Sequence, residues 1–190
     1  MRIGILGGTF NPIHQGHLAL AQAALKKLKL DQLYFVPTYQ HPLEQKESSV
    51  SAQDRLEMIR IAIQGEKRFI ASDCEIKRKG ISYTVDTLEE FRSRFPKPHE
   101  LFFITGGDWG KHLDQWKDIG TVFSLARFVV ANRPGFDVRS VSNQVESLDF
   151  VPLDISSTQV REGLKKKTGN GDMIPDGVLS YIRKHRLYES

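Results

Sequence analysis

Two histidines near the start of the chain have the type and spacing to bind a phosphate group. His14 and His17 follow a turn that begins with Gly7 and Gly8. Glycines let the backbone approach a ligand closely, and the N–H groups of such a turn and of a following helix suit phosphate oxygens. In a first helical turn, both imidazoles would share a face and donate to the same anion. Gly16, between them, would let a nucleoside pack flat against the helix.

A metal site and a pair of purely structural histidines are the alternative interpretations of this segment. A metal pair needs a third ligand, and no neighbouring residue offers one at a usual spacing. The glycines fall at positions 4, 7 and 8, so the dinucleotide fingerprint Gly-x-Gly-x-x-Gly and the Walker motif are both absent. The pattern therefore predicts a strand–turn–helix unit that binds phosphate without either common signature.

A second candidate segment lies near the end of the chain, at residues 155–161. Ser156, Ser157 and Thr158 have the composition of a helix start, where hydroxyl and N–H groups either cap the helix or hold phosphate oxygens. Arg161, one turn further on, would reach the same anion.

The elements that must position these residues alternate along the chain. Apolar runs bounded by Gly or Pro predict strands, and apolar stripes at helical spacing predict helices. The predicted strands are 3–6, 33–36, 69–71, 101–105, 128–131 and 150–151, and the predicted helices are 16–28, 52–64, 84–95, 119–125, 157–166 and 176–185. Residues 38–51 are predicted as a polar loop, 75–82 as a charged connector, 134–135 as a turn and 136–148 as a polar segment.

This alternation predicts an α/β fold, a Rossmann-like parallel sheet with helices on both faces. We expect one domain over residues 1–190, with 156–190 as a small C-terminal helical part. Ligands of such sheets bind at the carboxyl ends of the strands. Residues 7–17, 105–108 and 155–161 are therefore expected to meet at one edge of the sheet.

Composition is that of an ordinary globular domain, with 190 residues, 39% apolar side chains and a net charge of +4. The basic residues are scattered, which favours solvated faces and a small anionic ligand over a nucleic-acid surface. A single cysteine forms no disulfide framework or thiolate metal cluster and favours a cytoplasmic location. No run approaches the roughly 18 apolar residues that span a bilayer, and the N-terminus is predicted as a buried strand, not a signal peptide.

The two segments carry a resemblance to a known superfamily. Residues 7–17, Gly-Gly-Thr-Phe-Asn-Pro-Ile-His-Gln-Gly-His, resemble the nucleotidylyltransferase signature with its His-x-Gly-His core, and residues 155–161 match its second signature, Ile-Ser-Ser-Thr-x-x-Arg. Residues 82–87, Ser-Tyr-Thr-Val-Asp-Thr, and 106–108, Gly-Gly-Asp, followed by Trp116, are similar to those of bacterial nicotinate-mononucleotide adenylyltransferases. The resemblance covers essentially the whole chain.

The resemblance implies that ATP and nicotinate mononucleotide give nicotinic acid adenine dinucleotide and pyrophosphate, a step of NAD biosynthesis. The mononucleotide phosphate would attack the α-phosphorus of ATP, so catalysis rests on positioning and charge neutralisation without a protein nucleophile. Mg²⁺ held mainly by the substrate phosphates is the implied cofactor, with no metal ligands from the protein. ATP and the mononucleotide are the implied partners, without nucleic acid or membrane, and the oligomeric state stays open, a homodimer included.

The resemblance also implies roles for individual residues. The expected catalytic residues are His14, His17 and Arg161. The expected ATP-binding residues are Gly7, Gly8, Thr9, Phe10, His14, His17, Gly106, Asp108, Arg133, Ile155, Ser156, Ser157, Thr158 and Arg161. The expected mononucleotide-binding residues are Thr9, Lys46, Tyr83, Thr84, Asp86, Asp108 and Trp116, with the indole stacked on the pyridine and the Thr84 N–H donating to the nicotinate carboxylate.

One segment departs from the family pattern. Many relatives carry Pro-Pro-His-Lys after the second strand, where the lysine contacts phosphate, whereas this chain reads His-Pro-Leu-Glu-Gln-Lys over residues 41–46. Lys46 or His41 is the candidate replacement. The alternative functions are a sibling adenylyltransferase acting on nicotinamide mononucleotide or phosphopantetheine, and a nucleotide- or RNA-binding module without turnover.

Overall fold

The computed structural model describes residues 1–42, 50–106, 113, 115–131, 143–166 and 172–189. The strands in these ranges are β1 (Arg2–Gly8), β2 (Gln32–Pro37), β3 (Phe69–Ala71), β4 (Glu100–Gly106), β5 (Arg127–Ala131) and β6 (Val145–Leu148). The helices are α1 (Gln15–Lys27), α2 (Ala52–Ala62), α3 (Cys74–Arg78), α4 (Thr84–Arg94), α5 (Ile119–Leu125), α6 (Ser157–Lys166) and α7 (Asp176–Lys184). None of these helices is long and apolar enough to cross a membrane.

The six strands form one sheet in the order β3-β2-β1-β4-β5-β6, and every neighbouring pair is parallel. The strand order reverses at β1, which pairs with β2 on one side and with β4 on the other. Gly8 at the end of β1 is in register with Pro37 at the end of β2. The predicted α/β fold with a parallel sheet is confirmed, and the crevice expected at such a switch point falls at the carboxyl end of β1.

Each face of the sheet has its own apolar core. Leu6 and Ile104 belong to the core covered by α1, α2, α6 and α7. Ile5 and Phe103 belong to the core covered by α3, α4 and α5. Successive strand residues point to opposite faces, so a strand that is buried on both sides is apolar along its length. This explains why the central strands were recognisable as short continuous apolar runs.

Two elements differ from the sequence predictions. Residues 74–78 form the short helix α3 instead of a charged connector, because one and a half turns are too few to show a helical stripe. The last strand is β6, not residues 150–151, and Val151 is 85% exposed. β6 is an edge strand, and edge strands tolerate charged residues. Its Glu146 accepts two hydrogen bonds of 2.6 Å from Arg127 of β5. The sequence of β6 therefore lacks the apolar pattern that identified the central strands. The predicted turn at 134–135 lies outside the described residues.

Candidate functional site

A cleft opens at the carboxyl ends of the strands, on the face covered by α3, α4 and α5. It encloses about 800 Å³, including the space open to solvent. The end of β1 forms one wall through Gly7, Gly8 and Thr9, and the start of α4 forms another through Tyr83 and Thr84. These two segments are far apart in the sequence, and the fold brings them together at one cleft.

Trp116 also lines this cleft and is half-buried. Its indole makes edge-on contacts with Phe103 at 5.8 Å and with Phe128 at 5.4 Å between ring centroids. Both partners belong to the apolar core of this face, so they fix the orientation of the indole. A fixed aromatic ring in a cleft wall suits stacking on a flat ligand.

The start of α4 lines the cleft through Tyr83 and Thr84. The first N–H groups of a helix have no partner inside the helix, and the helix dipole favours anions there. The N-cap residue Tyr83 makes no side-chain cap bond. Lys117 lines the same cleft, with Nζ 4.4 Å from the Tyr83 ring centroid and 3.2 Å from Asp86 Oδ1. Asp86, predicted as a mononucleotide contact, is partly exposed and pairs with Lys117, and its contact with a mononucleotide stays a prediction.

The two predicted imidazoles lie at the start of α1, which packs on the opposite face of the sheet from the cleft. Their ring centroids are 3.7 Å apart and the rings are stacked at 28°. The backbone N–H of His14 donates to His17 Nδ1 at 3.3 Å, so a neutral His17 carries its proton on Nε2. The Phe10 ring packs edge-on against His17 at 5.0 Å. Phe10 thus supports His17 through its side chain, besides any backbone contact that it offers.

Burial keeps these imidazoles neutral. His14 is 5% exposed, and its burial lowers the pKa of the ring to about 4. Burial, and then the neighbouring His14, lower the pKa of His17 well below its usual value. A neutral imidazole still offers an N–H donor, and an incoming phosphate would raise both pKa values by its charge.

The second signature segment contacts the first directly. Arg161 Nη1 donates to the carbonyl of Asn11 at 2.8 Å, and Ser157 Oγ donates to the carbonyl of Pro12 at 3.1 Å. The predicted meeting of the two segments is confirmed. The guanidinium of Arg161 also donates to Thr158 Oγ1 at 3.1 Å. It is therefore held between the signature loop and the first turn of α6.

Ser156 caps α6, the first of the two roles predicted for its hydroxyl. The Gln159 N–H donates to Ser156 Oγ at 3.2 Å, and the Ser156 N–H donates to Gln159 Oε1 at 2.7 Å, which is a capping box. Gly16 lies between the His14 ring and Ile155. A Cβ on Gly16 would lie 3.0 Å from His14 Nδ1, a tight contact, and 3.5 Å from the Ile155 carbonyl oxygen, an ordinary one. The glycine therefore leaves room for the His14 ring, and the packing of a nucleoside against it stays a prediction.

Two buried side chains that position the signature loop were missed by the sequence analysis. Arg55 of α2 is 2% exposed and donates to the carbonyls of Thr9 and Thr38 at 2.6 Å each. The buried Tyr188 donates its hydroxyl proton to Asn11 Oδ1 at 2.6 Å. The sequence offered a signal for Arg55 alone, because a charged residue stands there directly before Leu56, which belongs to an apolar helix stripe.

The described residues leave several predicted contacts open. Lys46, Gly107, Asp108 and Arg133 lie outside the described ranges. Gly106 ends β4 and Thr105 before it lines the cleft. Within the described ranges, no three His, Cys, Asp or Glu side chains are grouped so that they could hold a metal ion.

A parallel sheet whose switch point carries a glycine turn and a helix start defines the class of nucleotide-binding α/β proteins. The profile of the cytidylyltransferase-like family matches residues 5–163. A protein named probable nicotinate-nucleotide adenylyltransferase from Clostridium acetobutylicum is 41% identical over 97% of each chain, and one of the same name from Bacillus licheniformis is 38% identical over 100% of this chain and 99% of its own. This chain therefore belongs to the cytidylyltransferase-like family and, within it, to the nicotinate-nucleotide adenylyltransferases.

A solved structure has the same fold. Nicotinic acid mononucleotide adenylyltransferase of Plasmodium falciparum, in complex with NaAD, superimposes with a TM-score of 0.82 at 20% identity, covering 99% of this chain and 97% of that one. The family resemblance found in the sequence is thus confirmed by sequence relatives, and the α/β fold by a solved structure.

Proposed function

We propose that the protein transfers the adenylyl group of ATP to nicotinate mononucleotide, giving nicotinic acid adenine dinucleotide and pyrophosphate. The observation that carries this proposal is the placement of two different sites at the end of β1, one on each face of the sheet. The stacked imidazoles lie at the start of α1 beside Phe10, which belongs to the core of one face, and the cleft that contains Trp116 lies on the other face. The names of the full-length relatives support the same activity.

The imidazole side suits the triphosphate of ATP. His17 presents an Nε2–H donor whose orientation is fixed by the His14 backbone. Such a preoriented donor stabilises the negative charge that grows on the departing pyrophosphate. The first turn of α6, which Ser157 and Arg161 tie to the signature loop, adds N–H groups and the positive end of a helix dipole.

The cleft suits the mononucleotide. Trp116 offers an aromatic face to a pyridine ring, and the N–H groups at the start of α4 suit the nicotinate carboxylate. Lys117 adds a positive charge at the same wall. With both substrates bound, the mononucleotide phosphate oxygen attacks the α-phosphorus in line, and the protein contributes position and charge.

Mg²⁺ is the metal that we propose for this reaction. Because the described residues group no metal ligands, the ion would take its oxygens from the nucleotide phosphates and from water, as Mg²⁺ commonly does. When bound, it neutralises charge on the leaving phosphates.

Pyrophosphate release with ATP and one acceptor at a time tests the proposal. We expect release with nicotinate mononucleotide, and the dinucleotide as co-product by chromatography. Nicotinamide mononucleotide and phosphopantetheine should give much slower release, since an amide misplaces an NH₂ against the N–H donors of α4. Equal rates with the acid and the amide would contradict the assigned acceptor, and no release with any acceptor would contradict the activity.

The variant His17→Asn tests the role of the imidazole. We expect kcat to fall about 10²- to 10³-fold, the usual loss for one preoriented donor at a developing charge. His185→Asn is the matched control, since His185 is exposed and stacks on Tyr181 at the end of α7. Equal kcat in the wild type and His17→Asn, with both folded by circular dichroism, would exclude this role.

A further inference from the structure

A buried carboxyl group lies in the wall of the cleft. Glu75 of α3 is 7% exposed and lines the cleft together with Tyr83, Thr84 and Trp116. Its Oε1 accepts a hydrogen bond from Thr87 Oγ1 at 2.6 Å. Its Oε2 is buried and has no hydrogen-bond partner among the described residues. Neither the sequence patterns nor the reaction described above gives this carboxyl group a role.

The groups that face Glu75 act on its protonation in opposite directions. Burial raises the pKa of Glu75 and is the largest influence. The nearby hydroxyl groups of Thr87 and Ser82 and the charge of Arg78 favour the ionised form, and the charge of Glu90 opposes it. Arg78 is itself engaged, because it donates to Thr87 Oγ1 at 2.8 Å and pairs with Glu90 at 3.3 Å. The net effect is a carboxyl group that keeps its proton to higher pH than usual.

Other titratable side chains lie around the cleft or beside Glu75. Lys117 lines the cleft and pairs with Asp86. His41 lines it from the segment after β2. Cys74, beside Glu75 on α3, stays a neutral thiol, since burial raises its pKa to about 11.

We propose that Glu75 is a specificity-determining residue that senses the substituent on the pyridine ring, and that nicotinate mononucleotide binds with Glu75 protonated. This inference rests on the proposed function. The bound nicotinate would bring a second carboxylate into the cleft that Glu75 lines, and two neighbouring carboxyl groups do not both ionise readily. A protonated Glu75 is neutral and has an O–H donor on the oxygen that lacks a partner.

Nicotinamide mononucleotide makes a different demand on the same residue. Its amide NH₂ is a donor, so it is compatible with an ionised Glu75 and needs no proton. The acid therefore selects the protonated form of Glu75, whereas the amide does not. We expect the affinity ratio of the acid to the amide to fall as pH rises, by up to about tenfold per pH unit across the titration of Glu75.

Calorimetry on the full-length protein tests this inference. Each mononucleotide is titrated from mildly acidic to alkaline pH, in buffers of different ionisation enthalpy, which counts the protons taken up. Comparing the two ligands cancels the titration of groups common to both complexes, such as the ligand phosphate. We expect nicotinate mononucleotide to take up more protons, by up to one, and equal proton counts throughout the range would overturn the proposal.

Variants locate the titrating group. Glu75→Gln cannot ionise but keeps a donor, so its acid-to-amide affinity ratio should be independent of pH. Glu89→Gln is the control, since it removes an exposed carboxylate of α4 that is not among the groups acting on Glu75, and it should keep the wild-type pH dependence. An unchanged pH dependence in Glu75→Gln would overturn the proposal. If this variant does not fold, the wild-type proton count still decides.

The proposed function fails on a different result. If the wild type neither binds nicotinate mononucleotide nor forms the dinucleotide with ATP, the assigned acceptor is wrong. Binding and turnover with equal proton counts for both ligands would instead leave the acceptor in place and remove only the role of Glu75.

Discussion

His14 and His17 are buried, and the proposed function places them against an anion. Burial keeps both rings neutral in the free protein, so no counter-charge is needed beside them. In the proposed reaction, an arriving triphosphate would supply negative charge directly, and the basicity of the rings would then rise when charge stabilisation is useful. The edge-on Phe10 ring and the backbone of the turn hold this arrangement before substrate binds.

Acid should weaken the fold through His14. The pKa of this ring is about 4 in the folded protein against 6.5 in a model peptide, so the unfolded chain binds more protons between these values. The free energy of unfolding therefore falls as pH drops from 6.5 toward 4, by up to about 3 kcal/mol for this residue. Urea denaturation of the wild type and His14→Gln over this range measures it, and the variant should show the smaller decline. Parallel pH curves would argue against the burial effect.

Single residues differ in how far the sequence reveals them. His14, His17 and the 155–161 segment stand in motifs, and local spacing alone places them at helix starts. Arg55 and Glu75 have no such pattern, because their partners are carbonyl and hydroxyl groups that only the folded sheet edge brings near. The close approach of the His14 ring to Gly16 was not predicted either, because the spacing of the two residues does not show how the ring turns.

At the level of elements, α2 joins the carboxyl ends of two adjacent strands. Its Arg55 bonds the Thr9 carbonyl after β1 and the Thr38 carbonyl after β2. The planar guanidinium suits this task, since it offers two donors in a fixed geometry. Through these two bonds, α2 holds the start of the signature loop against the end of β2.

Replacing Arg55 should therefore affect both stability and catalysis. Arg55→Met leaves two part-buried carbonyls without their charged donor, and we expect a loss of about 3 kcal/mol in unfolding free energy, with a lower kcat. Arg55→Lys should retain only part of this stability, because one ammonium group cannot reproduce the two donors that the guanidinium holds in a fixed geometry. Arg60→Met on the same helix is the control. Arg60 forms an exposed pair with Glu57, so it should change stability by less than about 1 kcal/mol, and similar losses at 55 and 60 would contradict the role of Arg55.

The elements themselves were predictable to different degrees for a physical reason. β1, β2, β4 and β5 are buried on both faces, so their apolar runs are visible in the sequence. β6 is an edge strand stabilised by Glu146 and Arg127, and α3 has five residues, so neither shows a period. Local pattern identifies an element when the core dictates its residues, and fails when a few tertiary contacts hold it.

For the whole molecule, the last described residues complete the site at the first strand. Tyr188 follows α7, lies buried beside the signature loop and bonds Asn11. Arg161 bonds the backbone of the same residue. The loop after β1 is therefore held by three separate parts of the chain, α2, α6 and the segment after α7, and its conformation depends on the complete fold.

Tyr188→Phe and Tyr181→Phe form a matched pair. Each removes one hydroxyl, from the bond to Asn11 or from the 2.9 Å bond to Asp54 of α2, and each should cost about 1 kcal/mol in unfolding free energy. Only Tyr188→Phe should lower kcat/KM for ATP, because only Asn11 belongs to the signature loop. Steady-state kinetics and urea denaturation on both variants measure this. Equal kinetic effects would show that Tyr188 acts through general stability alone.

Two sites on opposite faces at the end of β1 have a consequence for inhibitor chemistry. A compound with a phosphate-like head for the proposed imidazole site and a pyridine-like tail for the proposed cleft site would cross the carboxyl end of this strand. Once its first half is seated, the second half meets its subsite at a high effective concentration, so a short tether would strengthen binding without any new contact. A tether too short to pass over the end of β1 would lose that advantage entirely.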